Sequence, residues 1–145
     1  MRRRSLRALI PVAMLVLAGV GTACSSDDDP VDPPVEPDLS GSYELVSFTQ
    51  AGITLGPPIA TGTLSMTATR YTITITHPDP ANPTGPPLTT DDSGTYETSG
   101  NTWTQESDNA GGFQGVGTYT LVEGTLTVDV TTVGVQVLTV WNLTN

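Results

Sequence analysis

The sequence contains no lysine, one histidine (His77) and one cysteine (Cys24) among its 145 residues. The lack of lysine excludes Schiff-base catalysis and the phosphate-binding P-loop, because both depend on a lysine amine. One histidine and one cysteine are too few for a typical zinc site, which is built from several nitrogen and sulfur ligands. No serine lies on a nucleophile elbow that His77 could serve. The sequence therefore predicts a protein that is not an enzyme and that holds no cofactor or metal.

Positive charge is almost absent from the larger part of the chain. Four of the five arginines lie within the first seven residues, and only Arg70 follows Cys24. All fifteen acidic residues lie after Cys24, so that part of the chain has a side-chain charge of −14. Such a charge repels the phosphate backbone of nucleic acids and anionic lipid surfaces. Nucleic acid is therefore excluded as a partner.

The first residues have the composition of an export signal. A basic start, Met1–Arg7, precedes an apolar run over 8–20 that is interrupted only by Pro11. The run is shorter than the about 20 residues that a membrane-spanning helix needs, and small residues follow it. We predict that residues 1–23 are a secretory signal peptide.

The only cysteine follows three small residues, Gly21-Thr22-Ala23. With Cys24 this stretch resembles a bacterial lipobox, in which the cysteine receives a lipid before the signal is removed. An intramolecular disulfide has no second cysteine, and a free thiol is a liability in an oxidising compartment. We predict that Cys24 is the lipid attachment site, because a multiply acylated residue anchors a protein stably.

Residues 24–38 form the predicted spacer between this lipid and the folded domain. They are rich in proline and aspartate and poor in apolar residues, so they favour an extended, disordered chain. The predicted location is the bacterial cell envelope, with the exported protein held by its lipid. Ser25 directly after the cysteine is compatible with the outer membrane in a cell with two membranes.

Residues 39–145 form the predicted domain, in which short runs of Thr, Val, Ile and Tyr alternate with Gly and Asn turns. This pattern predicts an all-β fold. The eight candidate strands are 41–50, 60–68, 70–77, 93–98, 101–107, 115–122, 125–131 and 135–143. The proline-rich stretch 77–92 is predicted to be a connection. Close succession of strands favours an antiparallel up-and-down meander, which can close into a barrel to remove its edges.

Alternation along the strands identifies a set of candidate interior residues. They are Tyr43, Leu45, Leu64, Met66, Tyr71, Ile73, Ile75, Tyr96, Trp103, Tyr119, Leu121, Leu126, Val128 and Val130. The final strand is apolar on both faces, so the pattern does not orient Trp141.

Three segments carry a resemblance to a known group. The segment "LSGSYELVS" resembles the "L-x-G-x-W-x-L" start of small bacterial lipocalin-like lipoproteins, with Tyr43 in place of the usual tryptophan. The segments "SGTYETSGNTWT" and "GTYTLVEGTLTVDV" are similar to the repeated hairpins of that group. The resemblance implies a lipocalin-like barrel of about eight strands with a cup for an apolar molecule. A partly open barrel and a β-sandwich remain alternatives.

Two functions are compatible with these features. In the first, a membrane-anchored envelope lipoprotein binds a small apolar or amphipathic ligand in its barrel, and the candidate ligand-binding residues are Tyr43, Met66, Tyr71, Ile73, Tyr96, Trp103 and Tyr119. In the second, a filled barrel on a lipid-anchored stalk is a structural or protein-interaction module that contacts another envelope protein. An apolar cavity of about 300 Å³ or more would favour the first. A filled interior would favour the second.

Overall fold

The computed structural model describes residues 35–79, 82–110 and 114–144, and these residues form a β-barrel without any helix. The predicted signal peptide (1–23) and Cys24 lie outside the described residues. The nine strands are β1 (Gly41–Gln50), β2 (Ile53–Leu55), β3 (Thr61–Met66), β4 (Arg70–His77), β5 (Leu88–Ser99), β6 (Thr102–Ser107), β7 (Gly115–Val122), β8 (Thr125–Thr132) and β9 (Val135–Thr144).

The barrel closes because its first and last long strands pair. From β3 to β9 each strand pairs antiparallel with the next, and β9 returns to β1 in a register that runs from Ser42↔Thr144 to Gln50↔Val137. Closure leaves none of the eight long strands as an open sheet edge. The prediction of an all-β, antiparallel, lipocalin-like barrel of eight strands is confirmed, and the structure is not a sandwich.

Strand β1 has three partners because its two halves face different strands on one side. Its beginning pairs with β3 and its last residues, Phe48–Gln50, pair with β2, while its other side pairs with β9. A register shift between Leu45 and Ser47 marks a β-bulge against β9. Bulges bend a strand and increase its twist, which a small closed barrel requires.

Two predictions about strands were wrong. Strand β5 begins at Leu88, five residues before the predicted start at 93, and it pairs with β4 over its whole first half. Prolines argued against a strand in this stretch, but the last of them is Pro87. The backbone N–H groups of the residues that follow are therefore all available for pairing. Strand β2 was not predicted, because three residues are too few to show alternation.

Three hairpins use two-residue turns in which both central residues have positive φ. These turns are Ala51-Gly52, Glu123-Gly124 and Val133-Gly134. Such turns match the twist of the paired strands and favour Asn, Asp or Gly at their centre. Glu123-Gly124 is the two-residue gap between the predicted strands 115–122 and 125–131, and the structure places a turn there. Val133 is the exception to the preference, since it is β-branched, has a φ of 48° and is 93% exposed.

Replacing Val133 with asparagine is expected to stabilise the barrel by about 1 kcal/mol, because asparagine tolerates the left-handed conformation and the exposed valine has no packing to lose. Thermal unfolding checks this, with an expected rise in Tm of about 4 °C. Glu123→Asn is the matched control at the same turn position, where the natural residue is not β-branched and the gain should be smaller. Equal gains at the two turns would contradict the role of the β-branch.

Candidate functional site

The barrel has two unlike ends, which we define by β1. The closed end lies where β1 begins, and the open end lies where β1 finishes at Gln50. Large buried side chains fill the closed end, and they are Tyr43, Met66, Tyr96, Trp103, Tyr119, Leu126 and Trp141. These residues come from seven of the eight long strands. This half of the barrel is a packed core.

Aromatic contacts order the closed end. The rings of Tyr96 and Trp103 stack with centroids 4.7 Å apart and planes 7° from parallel, and Tyr119 lies against Trp103 at 6.0 Å. The hydroxyl of Tyr96 donates to the carbonyl oxygen of Thr67 at 2.7 Å, and that of Tyr43 donates to Leu39 at 2.9 Å. Burial raises the pKa of both Tyr43 and Tyr96 above its usual value.

The segment before β1 is fastened to the closed end. Leu39 is 3% exposed and belongs to the core. The Glu36 carboxylate accepts hydrogen bonds from the Thr98 hydroxyl at 2.6 Å and from the backbone N–H of Gly100 at 3.0 Å. The chain therefore enters the barrel at the end that is filled.

A partly open cavity of about 190 Å³ occupies the open half of the barrel. Its lining comes from β1, β4, β5, β6, β8 and β9 and comprises Phe48, Gln50, Ile73, Ile75, His77, Thr90, Gln105, Val128, Val130, Thr132, Val137 and Thr139. Six of the twelve lining residues are apolar and six are polar, and the polar ones include His77 and Gln50 at the strand ends. Apolar atoms nevertheless form most of the cavity surface, as they do in sites for small molecules.

Inward-facing glycines of β7 help to leave this space. A Cβ atom at Gly117 would lie 1.8 Å from the carbonyl oxygen of Asp129, and a Cβ at Gly115 would lie 3.1 Å from that of Thr131. The backbones of β7 and β8 approach too closely at Gly117 for any side chain. Strand β7 therefore contributes no bulk opposite Val130 and Thr132, which face the cavity from β8.

A buried carboxylate lies beside the cavity without lining it. Asp92 is 3% exposed and accepts hydrogen bonds from the hydroxyl of Tyr71 at 2.8 Å, from the hydroxyl of Ser107 and from the amide of Asn109 at 3.0 Å. Three donors compensate the cost of removing a carboxylate from water. Burial and the hydrogen bond to Asp92 raise the pKa of Tyr71 well above its usual range. This network ties the end of β6 to β4 and β5.

The same tyrosine-to-phenylalanine change is expected to have different effects on stability at two buried positions. Tyr71→Phe removes a donor to the buried Asp92 carboxylate and should lower the free energy of unfolding by about 1 to 3 kcal/mol. Tyr119→Phe should be neutral or slightly stabilising, because the Tyr119 hydroxyl is buried with no hydrogen-bond partner among the residues that the structure describes. Denaturant unfolding of both variants measures the difference, and equal losses would contradict it.

The structure places the seven predicted ligand-binding residues in two groups. Ile73 lines the cavity. The other six are buried in the core and do not line the cavity, and they are Tyr43, Met66, Tyr71, Tyr96, Trp103 and Tyr119. All fourteen candidate interior residues belong to the core or pack against it. Trp141, which the sequence did not orient, is 1% exposed and points inward.

Several residues of the cavity rim were missed from the sequence. Thr90 lies in the stretch that was predicted to be a connection, and Phe48 follows the bulge that reverses the alternation of β1. His77 is the last residue of the predicted strand 70–77 and is not among the candidate interior residues. The alternation of Tyr71, Ile73 and Ile75 continues to His77, so it could have placed His77 on the interior face.

Two further observations concern only the part of the chain that the structure describes. It contains no group of three or more His, Cys, Asp or Glu residues that could hold a metal ion. None of its elements is a helix of the length and hydrophobicity needed to cross a bilayer.

Comparison with known protein families, with curated proteins and with solved structures gives no match for this chain. The strand order and register of the chain itself define its architecture. The chain forms a closed antiparallel barrel of eight strands with one short additional strand, an arrangement consistent with a lipocalin-like fold.

Proposed function

We propose that this protein is a lipid-anchored envelope protein that binds a small apolar or amphipathic molecule in the open half of its barrel. The observation that supports this function best is the apolar cavity of about 190 Å³, which is partly open to solvent. Binding there occurs by burial, and it needs no covalent step. Burial of apolar surface contributes roughly 25 cal/mol per Å² to such binding.

The size of the cavity limits the size of the ligand. The volume is below the about 300 Å³ at which sites for drug-sized molecules begin. It exceeds the roughly 150 Å³ of apolar protein cavities that take up benzene or xenon. The proposed ligand is therefore a molecule with about one ring, or a short chain whose end protrudes through the opening.

The described part of the chain enters the barrel at the end opposite the cavity. The contacts of Glu36 and Leu39 hold the segment before β1 at the closed end, and the cavity lies at the opposite end. The cavity therefore opens at the end of the barrel opposite the segment through which the chain enters.

Titration of the exported chain (residues 25–145) with toluene tests the binding function. Amide NMR resonances of Ile75, Val128 and Val137 are expected to shift in a saturable way, because these residues line the cavity. Resonances of closed-end residues such as Tyr43 and Trp141 should shift less. Unchanged spectra at toluene saturation would overturn the proposal.

Cys24→Ser tests the anchor independently of the ligand. The variant, expressed with its signal in a bacterium, is expected to move from the membrane fraction to the soluble fraction, because the lipid supplies the membrane affinity. Ser25→Ala is a control for a substitution beside the attachment site and should leave the protein at the membrane. Membrane association of the Cys24→Ser variant equal to that of the natural chain would contradict the anchor.

The packed closed end favours a second candidate, a module displayed for interaction with another envelope protein. Half of the interior is filled by side chains, and the cavity is smaller than the 300 Å³ that would favour ligand binding most strongly. A chain that binds no small apolar probe but retains its fold would favour this display function.

A further inference from the structure

We propose that the rim of the cavity selects a hydroxyl group, so that the ligand is a small phenol or alcohol. In this arrangement His77 and Thr90 bind the hydroxyl, and the apolar body of the ligand fills the space beneath them. This inference rests on the proposed binding function and adds the chemical class of the ligand.

One ring nitrogen of His77 is hydrogen-bonded to the backbone. Its Nδ1 atom lies 2.8 Å from the carbonyl oxygen of Pro78, and because a carbonyl can only accept, Nδ1 carries the hydrogen. In the neutral ring Nε2 is then an acceptor. Phe48 stacks on the ring at a centroid distance of 5.7 Å and restrains it. With Nδ1 bonded in this way, the neutral ring of His77 offers Nε2 as an acceptor for a ligand donor.

Thr90 provides a second polar group on the same interior face. In the β4–β5 register Ile75 faces Thr90 and His77 faces Leu88, so His77 and Thr90 are diagonal neighbours. The Cα atoms of diagonal neighbours lie about 7 to 8 Å apart, within reach of a long side chain such as that of His77. One ligand oxygen that binds both groups requires their polar atoms to lie about 5 to 6 Å apart. The Thr90 hydroxyl has no hydrogen-bond partner within the described part of the chain and can donate as well as accept.

Three other polar side chains of the lining already have partners. The Thr132 hydroxyl donates to Gln114, the Thr139 hydroxyl donates to Val128, and the Gln105 side-chain oxygen accepts from Trp103. Gln50 is exposed at the rim. Among the lining residues, His77 and Thr90 are therefore the inward-facing pair whose hydrogen-bonding capacity a ligand would complete.

A neutral hydroxyl fits this pair better than a charged head group. A hydroxyl donates to the acceptor of His77 and accepts from Thr90. A carboxylate cannot donate, and the strongly acidic chain repels it. An ammonium ion would be buried without a carboxylate in the cavity lining, because Asp92 is not among the lining residues and is occupied by three donors.

The matched probes toluene and p-cresol test this inference, since they differ by one hydroxyl. Both are titrated into residues 25–145 under identical conditions. p-Cresol is expected to bind about five-fold or more tightly, because one net hydrogen bond contributes about 1 kcal/mol. Without a polar contact the order should be reversed, because toluene is the more apolar probe.

Three variants locate the source of the preference. His77→Phe keeps an aromatic ring against Phe48 but removes the acceptor, and Thr90→Val removes the hydroxyl; each should lower the preference for p-cresol. Thr89→Val is the matched control, because Thr89 is exposed on the outer face of the same strand. It should leave the preference unchanged.

The outcomes separate this inference from the function on which it rests. Binding of toluene without a preference for p-cresol, or a preference that survives both His77→Phe and Thr90→Val, overturns the hydroxyl site and leaves the binding function standing. If neither probe binds, the proposed binding function fails, and the hydroxyl site fails with it.

Discussion

Replacing Trp103 with alanine is expected to lower the free energy of unfolding by about 3 to 5 kcal/mol. Trp103 is 3% exposed and lies between the rings of Tyr96 and Tyr119. Its removal leaves a large cavity in the closed end and ends the stack with Tyr96, which is worth about 0.5 to 1.5 kcal/mol beyond its buried area. A domain of this size has a total stability of about 5 to 15 kcal/mol, so much of it would be lost.

Denaturant unfolding measures this loss, and Trp103→Phe is the matched control. Phenylalanine retains an aromatic ring beside Tyr96 and loses the hydrogen bond from Nε1 to Gln105. The loss for Trp103→Phe should therefore be clearly smaller than that for Trp103→Ala. A loss of less than about 1 kcal/mol for the alanine variant would show that the ring is not part of a packed core.

Replacing Val137 with phenylalanine is expected to weaken toluene binding about ten-fold or more, which corresponds to about 1.4 kcal/mol. Val137 is half-buried and lines the cavity from β9. A phenyl ring at this position occupies space that the ligand needs. The stability of the fold should change by less than about 1.5 kcal/mol, because the added ring enters existing space and strains the packed core little.

Val140→Phe is the control for this prediction. Val140 lies on the same strand between the buried residues Thr139 and Trp141, so its side chain faces outward, and it does not line the cavity. The same substitution there should leave toluene binding unchanged. If the two variants bind toluene equally well, the ligand does not occupy the cavity between β4 and β9.

Much of the barrel could be predicted because alternation is a local property of a half-buried strand. Along β4, Tyr71, Ile73 and Ile75 alternate with threonines, and the structure places all three on the interior face. Closure of the barrel was predictable only from the need to hide sheet edges. Which strand pairs with β1 depends on contacts between residues about a hundred positions apart, which no local pattern records.

The candidate site was less accessible to sequence reasoning than the core. Large aromatic residues are conspicuous in a sequence, and five of the seven candidate ligand-binding residues are aromatic. Four of these five, Tyr43, Tyr96, Trp103 and Tyr119, lie in the closed end. A cavity forms where side chains are small or missing, and such positions do not stand out in a sequence. Gly117 is an example, because only the structure shows that the Asp129 carbonyl oxygen lies too close for a side chain there. Thr90 was missed as a lining residue, because the prolines before it predicted a connection in place of a strand. The bulge in β1 shifted Phe48 out of the alternation that would have identified it.

Diffraction from crystals of residues 25–145 under xenon pressure tests the central claim most directly. Apolar protein cavities of roughly 150 Å³ take up xenon, so a cavity of about 190 Å³ with aliphatic walls should do so. We expect an ordered xenon atom among Ile75, Val128, Val130 and Val137 and none among the aromatic residues of the closed end. Side chains of β4, β8 and β9 that meet across the open half, with no xenon between them, would show a filled barrel and contradict a ligand-binding function.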